Sequence, residues 1–146
     1  MKRVFMDMDH CIGCKLCELA CLTVHSKSKD LILAYTVERA EGLMPHKRVF
    51  REGALCASIG CRHCDEPACV TACISGALTK DPVSGRTLFD ADKCVGCWSC
   101  YMACPFGAIQ RNEETHKIDK CDRCLERDTP ACVAACPNQA LTYEDR

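Results

Sequence analysis

The chain has 146 residues, a formal net charge of −1 and seventeen cysteines. So high a cysteine content leaves two classes of protein, a secreted disulfide scaffold or a metal- or cluster-binding protein of a reducing compartment. The hydrophobic fraction of 48% includes those cysteines, so the side-chain core is thin and cross-links or inorganic groups must help to hold the fold.

The N-terminal residues favour the second class. Lys2 and Arg3 resemble the start of a signal peptide, but Asp7, Asp9 and Cys11 follow before an apolar region can form. No apolar run approaches the ~18 residues that a membrane-spanning helix needs. The sequence therefore predicts a cytoplasmic protein without a membrane span.

Short strands are predicted at both ends of the chain and in the middle. Arg3–Met8 alternates as an edge strand, and Ala140–Glu144 is expected to return beside it. In the least constrained part, residues 22–60, the sequence predicts strands over Leu31–Val37 and Arg48–Phe50. This long connection is a candidate docking surface, or else it only covers the edges of the groups that the cysteines bind.

Two hairpins and two helix starts are predicted farther along. The hairpins join Ala77–Lys80 to Arg86–Phe89 and Ala108–Arg111 to Lys117–Asp119. Helices are expected to begin near Pro67 and Pro130, because proline is favoured at the first helical position.

Sixteen of the seventeen cysteines fall into four groups of four. In chain order the groups are Cys11, Cys14, Cys17 and Cys21; Cys61, Cys64, Cys69 and Cys73; Cys94, Cys97, Cys100 and Cys104; and Cys121, Cys124, Cys132 and Cys136. Groups one and three have the spacing C-x2-C-x2-C-x3-C, whereas groups two and four carry inserts of four and seven residues before the third cysteine.

The spacing in group three, followed by Pro105, is the run by which bacterial ferredoxins hold [4Fe–4S] clusters. Steps of three residues let a tight loop bring three thiolates to one cluster, while the fourth thiolate lies one helical turn further and ligates a second cluster. Zinc is the first alternative, but its sites usually combine two separated C-x2-C pairs. Disulfides are the second, but seventeen is odd and no secretion signal is present. Four [4Fe–4S] clusters are therefore expected.

Residues around the groups repeat as well. An aspartate stands two places before groups one, three and four, and similar residues follow groups two, three and four. These repeats predict a duplicated unit of strand, cluster loop, short helix and strand. The expected fold is α+β and ferredoxin-like, a single domain over residues 1–146. One two-cluster module would comprise residues 1–30 and 119–146 and the other about residues 56–118, with residues 22–60 as the connecting insert.

The order and spacing of the four groups resemble the four-cluster ferredoxin-type electron-transfer subunits that accompany molybdopterin oxidoreductases, formate hydrogenlyases, hydrogenases and carbon monoxide dehydrogenase. The segments Cys17–Leu31 and Cys61–Cys73 look most like the subunit that serves carbon monoxide dehydrogenase. One departure is that Leu22 and Ile74, not proline, follow Cys21 and Cys73.

The resemblance implies which cysteines share a cluster, because in this family group one pairs with group four and group two with group three. We name the implied ligand sets in the order of the chain. They are set I, Cys11, Cys14, Cys17 and Cys136; set II, Cys21, Cys121, Cys124 and Cys132; set III, Cys61, Cys64, Cys69 and Cys104; and set IV, Cys73, Cys94, Cys97 and Cys100.

Two classes of function follow from such a chain. Clusters with four cysteine ligands offer no open iron to a substrate, which favours an electron carrier without catalytic residues of its own. A catalytic or sensing iron–sulfur protein needs a cluster with three protein ligands or a labile exposed one.

For the carrier, we expect single electrons to pass from carbon monoxide dehydrogenase to a ferredoxin, a hydrogenase or a flavin-dependent nicotinamide reductase. A formate dehydrogenase or hydrogenase complex is the alternative, and no nucleic-acid partner is expected. Cys56, the seventeenth cysteine, is expected to be a buried, inert thiol.

Overall fold

Four two-stranded antiparallel sheets and short helices make up residues 1–145, the part of the chain that the computed structural model describes. The strands are β1 (Lys2–Met6), β2 (Lys47–Glu52), β3 (Leu55–Gly60), β4 (Leu78–Lys80), β5 (Thr87–Phe89), β6 (Gln110–Asn112), β7 (Lys117–Asp119) and β8 (Leu141–Asp145). The helices are α1 (Leu16–His25), α2 (Leu31–Leu33), which runs into a π-helical turn at Ala34–Glu38, α3 (Ala68–Thr71), α4 (Ser99–Ala103) and α5 (Ala131–Ala134).

The predicted strands at the two chain ends pair with each other. β1 and β8 run antiparallel with Met6 opposite Leu141, and Leu141 is buried in a core with Cys17 and Cys132. Both predicted hairpins also form, as β4 with β5 and β6 with β7. These predictions are confirmed. Short alternating segments beside turn residues have few other ways to hydrogen-bond their backbone N–H and C=O groups.

The prediction of a strand over Leu31–Val37 is wrong, because this segment is helical. The Asp30 carboxylate accepts hydrogen bonds from the backbone N–H groups of Ile32 and Leu33 at 2.9 and 3.0 Å. Such a cap satisfies donors that a helix start leaves free, and it outweighs the β propensity of the branched residues. The strand at Arg48–Phe50 is confirmed within β2, which pairs with β3, a strand that the sequence did not predict.

The short helices of groups two and four begin directly after proline. Pro67 and Pro130 occupy the position that precedes α3 and α5, with extended backbone at Pro67 and ψ of 138° at Pro130. The predicted starts are therefore right to within one residue, because proline has no N–H to leave unsatisfied at a helix start.

Two small cores hold the chain, and cysteines are part of both. The first comprises Leu78, Cys100, Ile109 and Ile118, against which cysteines of groups two and three pack. The second comprises Cys17, Cys132 and Leu141, against which Cys136 packs. The fold is thus a small mixture of helices and strands arranged around cysteines, and the tandem duplication remains a prediction.

Among the helices of residues 1–145, none has the length and apolar character that crossing a bilayer requires.

Candidate metal centres

Groups one and three are shaped by tight loops that lead into a helix. Gly13 and Lys15 have φ of +68° and +63°, and Gly96 and Trp98 have φ of +69° and +62°. Alternating left-handed residues curl each loop, so that its third cysteine falls in the first turn of α1 or α4. In group one, the C-x2-C-x2-C spacing thereby turns three thiols towards one cavity.

The cysteines of set I surround one small cavity. Cys11, Cys14 and Cys17 line it together with Cys136, which comes from the other end of the chain. Cys136 also packs against the core that contains Cys17. The pairing of β1 with β8 joins the chain ends and so brings group four to group one.

The cysteines of set II line a second, larger cavity of about 320 Å³, which also reaches Cys61. A water molecule fills about 30 Å³, so this space admits a much larger group. Burial raises the pKa of Cys21 well above its usual range, and negative charge on Cys121 or Cys132 would raise it further. Burial likewise raises the pKa of Cys121 to about 12.

Three members of set III are close neighbours. Burial raises the pKa of Cys69, and charges on Cys61 and Cys104 raise it further. For Cys64, the structure records a backbone contact, in which its carbonyl oxygen accepts a hydrogen bond from Lys80 Nζ at 2.6 Å. The place of Cys64 in this set stays a prediction.

Three cysteines of set IV belong to, or pack against, the core that contains Leu78 and Ile109. Cys73 and Cys94 pack against this core, to which Cys100 belongs. Burial raises the pKa of Cys100 to about 11, and a charge on Cys73 adds to the effect. The Ser99 hydroxyl, 3.5 Å from the Cys97 sulfur, lowers the pKa of Cys97.

Backbone and hydroxyl donors point at several of these sulfurs. The Ser58 hydroxyl lies 3.3 Å from the sulfur of Cys17, and the backbone N–H groups of His46 and Arg123 donate to Cys21 and Cys121 at 3.3 Å each. Donors of this kind orient metal-bound thiolates and tune the metal. Ser58 and His46 were not predicted from the sequence, because they lie in the insert and no spacing links them to the cysteines.

Cys56 lies beneath the loop of group one. It is 5% exposed, and a Cβ atom built on Gly13 would lie 2.8 Å from its sulfur. Cys56 therefore fills space under the loop, as expected for a buried thiol.

The donor sets fit iron–sulfur clusters. Each of the two cavities is lined by at least four thiols, which come from distant segments of the chain, and soft sulfur donors select iron–sulfur clusters or zinc. Buried thiols with raised pKa values become thiolates only when a positively charged metal core compensates them. Fold and site thus fit an iron–sulfur protein of the ferredoxin type.

Comparisons with known proteins agree. The family model described as a 4Fe-4S dicluster domain matches residues 54–146, and one described as a 4Fe-4S binding domain matches residues 8–24. The chain therefore belongs to the [4Fe–4S] ferredoxin-type electron-transfer subunit family, and its cofactors are [4Fe–4S] clusters.

The curated relatives span most of the chain. "Probable anaerobic dimethyl sulfoxide reductase chain YnfG" of Escherichia coli (strain K12) is 40% identical over 95% of this chain and 71% of its own length. "Electron transport protein HydN" of the same organism is 32% identical over 98% of this chain and 87% of its own length.

A solved structure has a similar fold. It is a chain of "Active site complex BamBC of Benzoyl Coenzyme A reductase as isolated", with a TM-score of 0.53 and 21% identity over 100% of this chain and 78% of the other.

Proposed function

We propose that sets I to IV each ligate one [4Fe–4S] cluster and that the protein relays single electrons through all four. The observation that supports this most directly is the cavity of set I, where three cysteines of group one meet Cys136 of group four. Clusters with four cysteine ligands offer no site to a substrate, so a carrier needs no catalytic residue. The non-catalytic role agrees with the name of one relative, an electron transport protein.

The order of the clusters follows from which sulfurs are inside and which reach the surface. Cys61 of set III shares a cavity with set II, and its charge is among the causes that raise the pKa of Cys121. Sets II and III are therefore the inner pair. Among the cysteines of residues 1–145, Cys14 of set I and Cys97 of set IV are the exposed ones. We infer that electrons enter at one of these two ends and leave at the other.

The names of the two relatives guide the choice of partner. The relatives named above are a probable dimethyl sulfoxide reductase chain and an electron transport protein, which gives no support to carbon monoxide dehydrogenase as the partner. We propose a catalytic subunit of the dimethyl sulfoxide reductase type, or else the formate dehydrogenase or hydrogenase that the sequence offers as its alternative. A soluble redox protein would then serve the other end, and the cytoplasmic location stays a prediction.

The cofactor content tests the cluster assignment. Protein purified without oxygen should carry about sixteen irons and sixteen sulfides per chain, since each of four clusters holds four of both. About eight irons, or zinc in stoichiometric amount, would contradict the proposal.

Purification of the tagged protein from its native host tests the partner. We expect a catalytic subunit of the dimethyl sulfoxide reductase type, or else of a formate dehydrogenase or hydrogenase, to co-elute, and a tag placed on an unrelated ferredoxin of the same host provides the control. Co-elution of carbon monoxide dehydrogenase instead would overturn the assignment.

A further inference from the structure

Lys47 is a buried lysine that lines the cavity of set II. It is 6% exposed and begins β2, and it borders the same space as Cys21, Cys121 and Cys132. Lysine is almost never so deeply buried unless its charge is paired. No sequence pattern pointed to this residue, because it lies in the insert far from any cysteine group.

Its cross-strand neighbour, Gly60, determines where the side chain lies. Lys47 pairs with Gly60 in the sheet, and a Cβ atom built on Gly60 would lie 3.1 Å from the lysine Nζ and 3.6 Å from its Cγ. The lysine thus lies across the glycine and occupies space that any other side chain would need. This arrangement holds the ammonium beside the residue that precedes Cys61 of set III.

The buried charge of Lys47 has no protein partner. Two other buried cations, Lys120 and Arg123, donate to backbone carbonyl oxygens at 2.6 to 3.1 Å. Within residues 1–145, the Lys47 ammonium forms no hydrogen bond and no salt bridge. The Lys47 Nζ is not among the fully enclosed polar atoms that lack a partner, so it borders the open space of the cavity. A negative group in that cavity would pair with the ammonium and offset the cost of its burial.

The field of this ammonium reaches the thiols of set II and of set I. Burial raises the pKa of Cys132, and the positive charge of Lys47 is the main influence that opposes it. The same charge also opposes the raised pKa of Cys17 and of Cys121. A cluster bound by these thiols would interact electrostatically with the same ammonium.

We propose that Lys47 sets the reduction potential of the cluster that set II holds. The inference rests on the ligation proposed above. Reduction adds one negative charge to a cluster, and a nearby ammonium in a buried, weakly screened site stabilises the added charge. The set II cluster then becomes easier to reduce and holds electrons in the middle of the series of clusters.

The test is a redox titration, followed by electron paramagnetic resonance, of the cluster-loaded Lys47→Met protein. Methionine keeps much of the length of the side chain and removes its charge. We expect at least a tenfold loss in the equilibrium constant for reduction of one cluster, which is about 59 mV for a one-electron couple. Replacing a set II ligand, Cys132→Ser, identifies the transition that belongs to this cluster.

Two further variants separate charge from packing. Arg48→Met removes the same charge from the next residue of β2, which is exposed, and should leave all potentials unchanged. Lys47→Arg keeps the charge and should retain a potential near that of the parent. A shift in Lys47→Arg as large as in Lys47→Met would show that packing is responsible, which would overturn the inference.

The remaining outcomes are equally decisive. Lys47→Met protein with full iron content and unchanged potentials refutes the role of Lys47 and leaves the proposed function intact. Lys47→Met protein that does not assemble this cluster is compared with Lys47→Arg protein. Full assembly in Lys47→Arg supports a role for the positive charge at this cluster, and failure of both variants to assemble it refutes that role. A parent protein without four clusters refutes the proposed function itself.

Discussion

Replacing Gly96 by alanine should destabilise the loop that carries the exposed thiol of set IV. Gly96 has φ of +69°, which costs an L-residue ~1–2 kcal/mol. A Cβ atom at this position would also lie 2.2 Å from the backbone oxygen of His116, against ordinary contacts of 3.4–4 Å. His116 lies in the turn between β6 and β7, so the conflict is with backbone that no rotamer change can relieve, and overlap of this kind costs about 1–3 kcal/mol.

Gly107→Ala is the matched control, because Gly107 has φ of +58° but no atom within 4 Å of the position that a Cβ would take. It should therefore show the backbone cost alone. The difference of about 1–3 kcal/mol predicts that Gly96→Ala loses its cluster roughly 5- to 150-fold faster, at about 1.36 kcal/mol for each factor of ten.

The measurement is the anaerobic decay of the visible cluster absorbance at raised temperature, together with iron released to a chelator. A rate is the suitable quantity because loss of the clusters makes unfolding irreversible. Equal decay rates in the two variants would refute the reasoning, because they would mean that the hairpin turn does not restrain the Gly96 loop.

Three more predictions concern pairing, packing and docking. Cys136→Ser should alter the spectrum of the set I cluster and spare that of set II; electron paramagnetic resonance showing the reverse would exclude the crossed pairing. Gly13→Ala should speed cluster loss, and adding Cys56→Ala should recover part of the loss by removing the sulfur 2.8 Å away; strictly additive effects would contradict the contact. Four clusters of about −2 each change the formal charge of −1 to about −9, so stopped-flow electron transfer to a soluble, positively charged acceptor should slow as salt rises, over a Debye length of ~10 Å at 0.1 M. A rate independent of salt would show that docking is mainly apolar.

The sequence alone determined the cofactor and the local elements that carry it. Cysteine spacing within about ten residues decides whether a loop can wrap a cluster. Cluster binding by groups one and three was therefore predictable without knowledge of the tertiary structure. The hairpins and the strands at the chain ends were predictable for a similar reason, since alternation and turn residues act over short distances.

Only the tertiary structure decided what surrounds the cysteines. Asp30 caps a helix where branched residues indicated a strand, and β3, absent from the predictions, carries Ser58 and Gly60 to the cysteine cavities. The burial of Lys47 depends on a cross-strand pair, and the closeness of Gly96 to His116 depends on how a hairpin packs on a loop. Such contacts join residues far apart in the chain, and no local pattern encodes them, because their energies arise only when the segments meet.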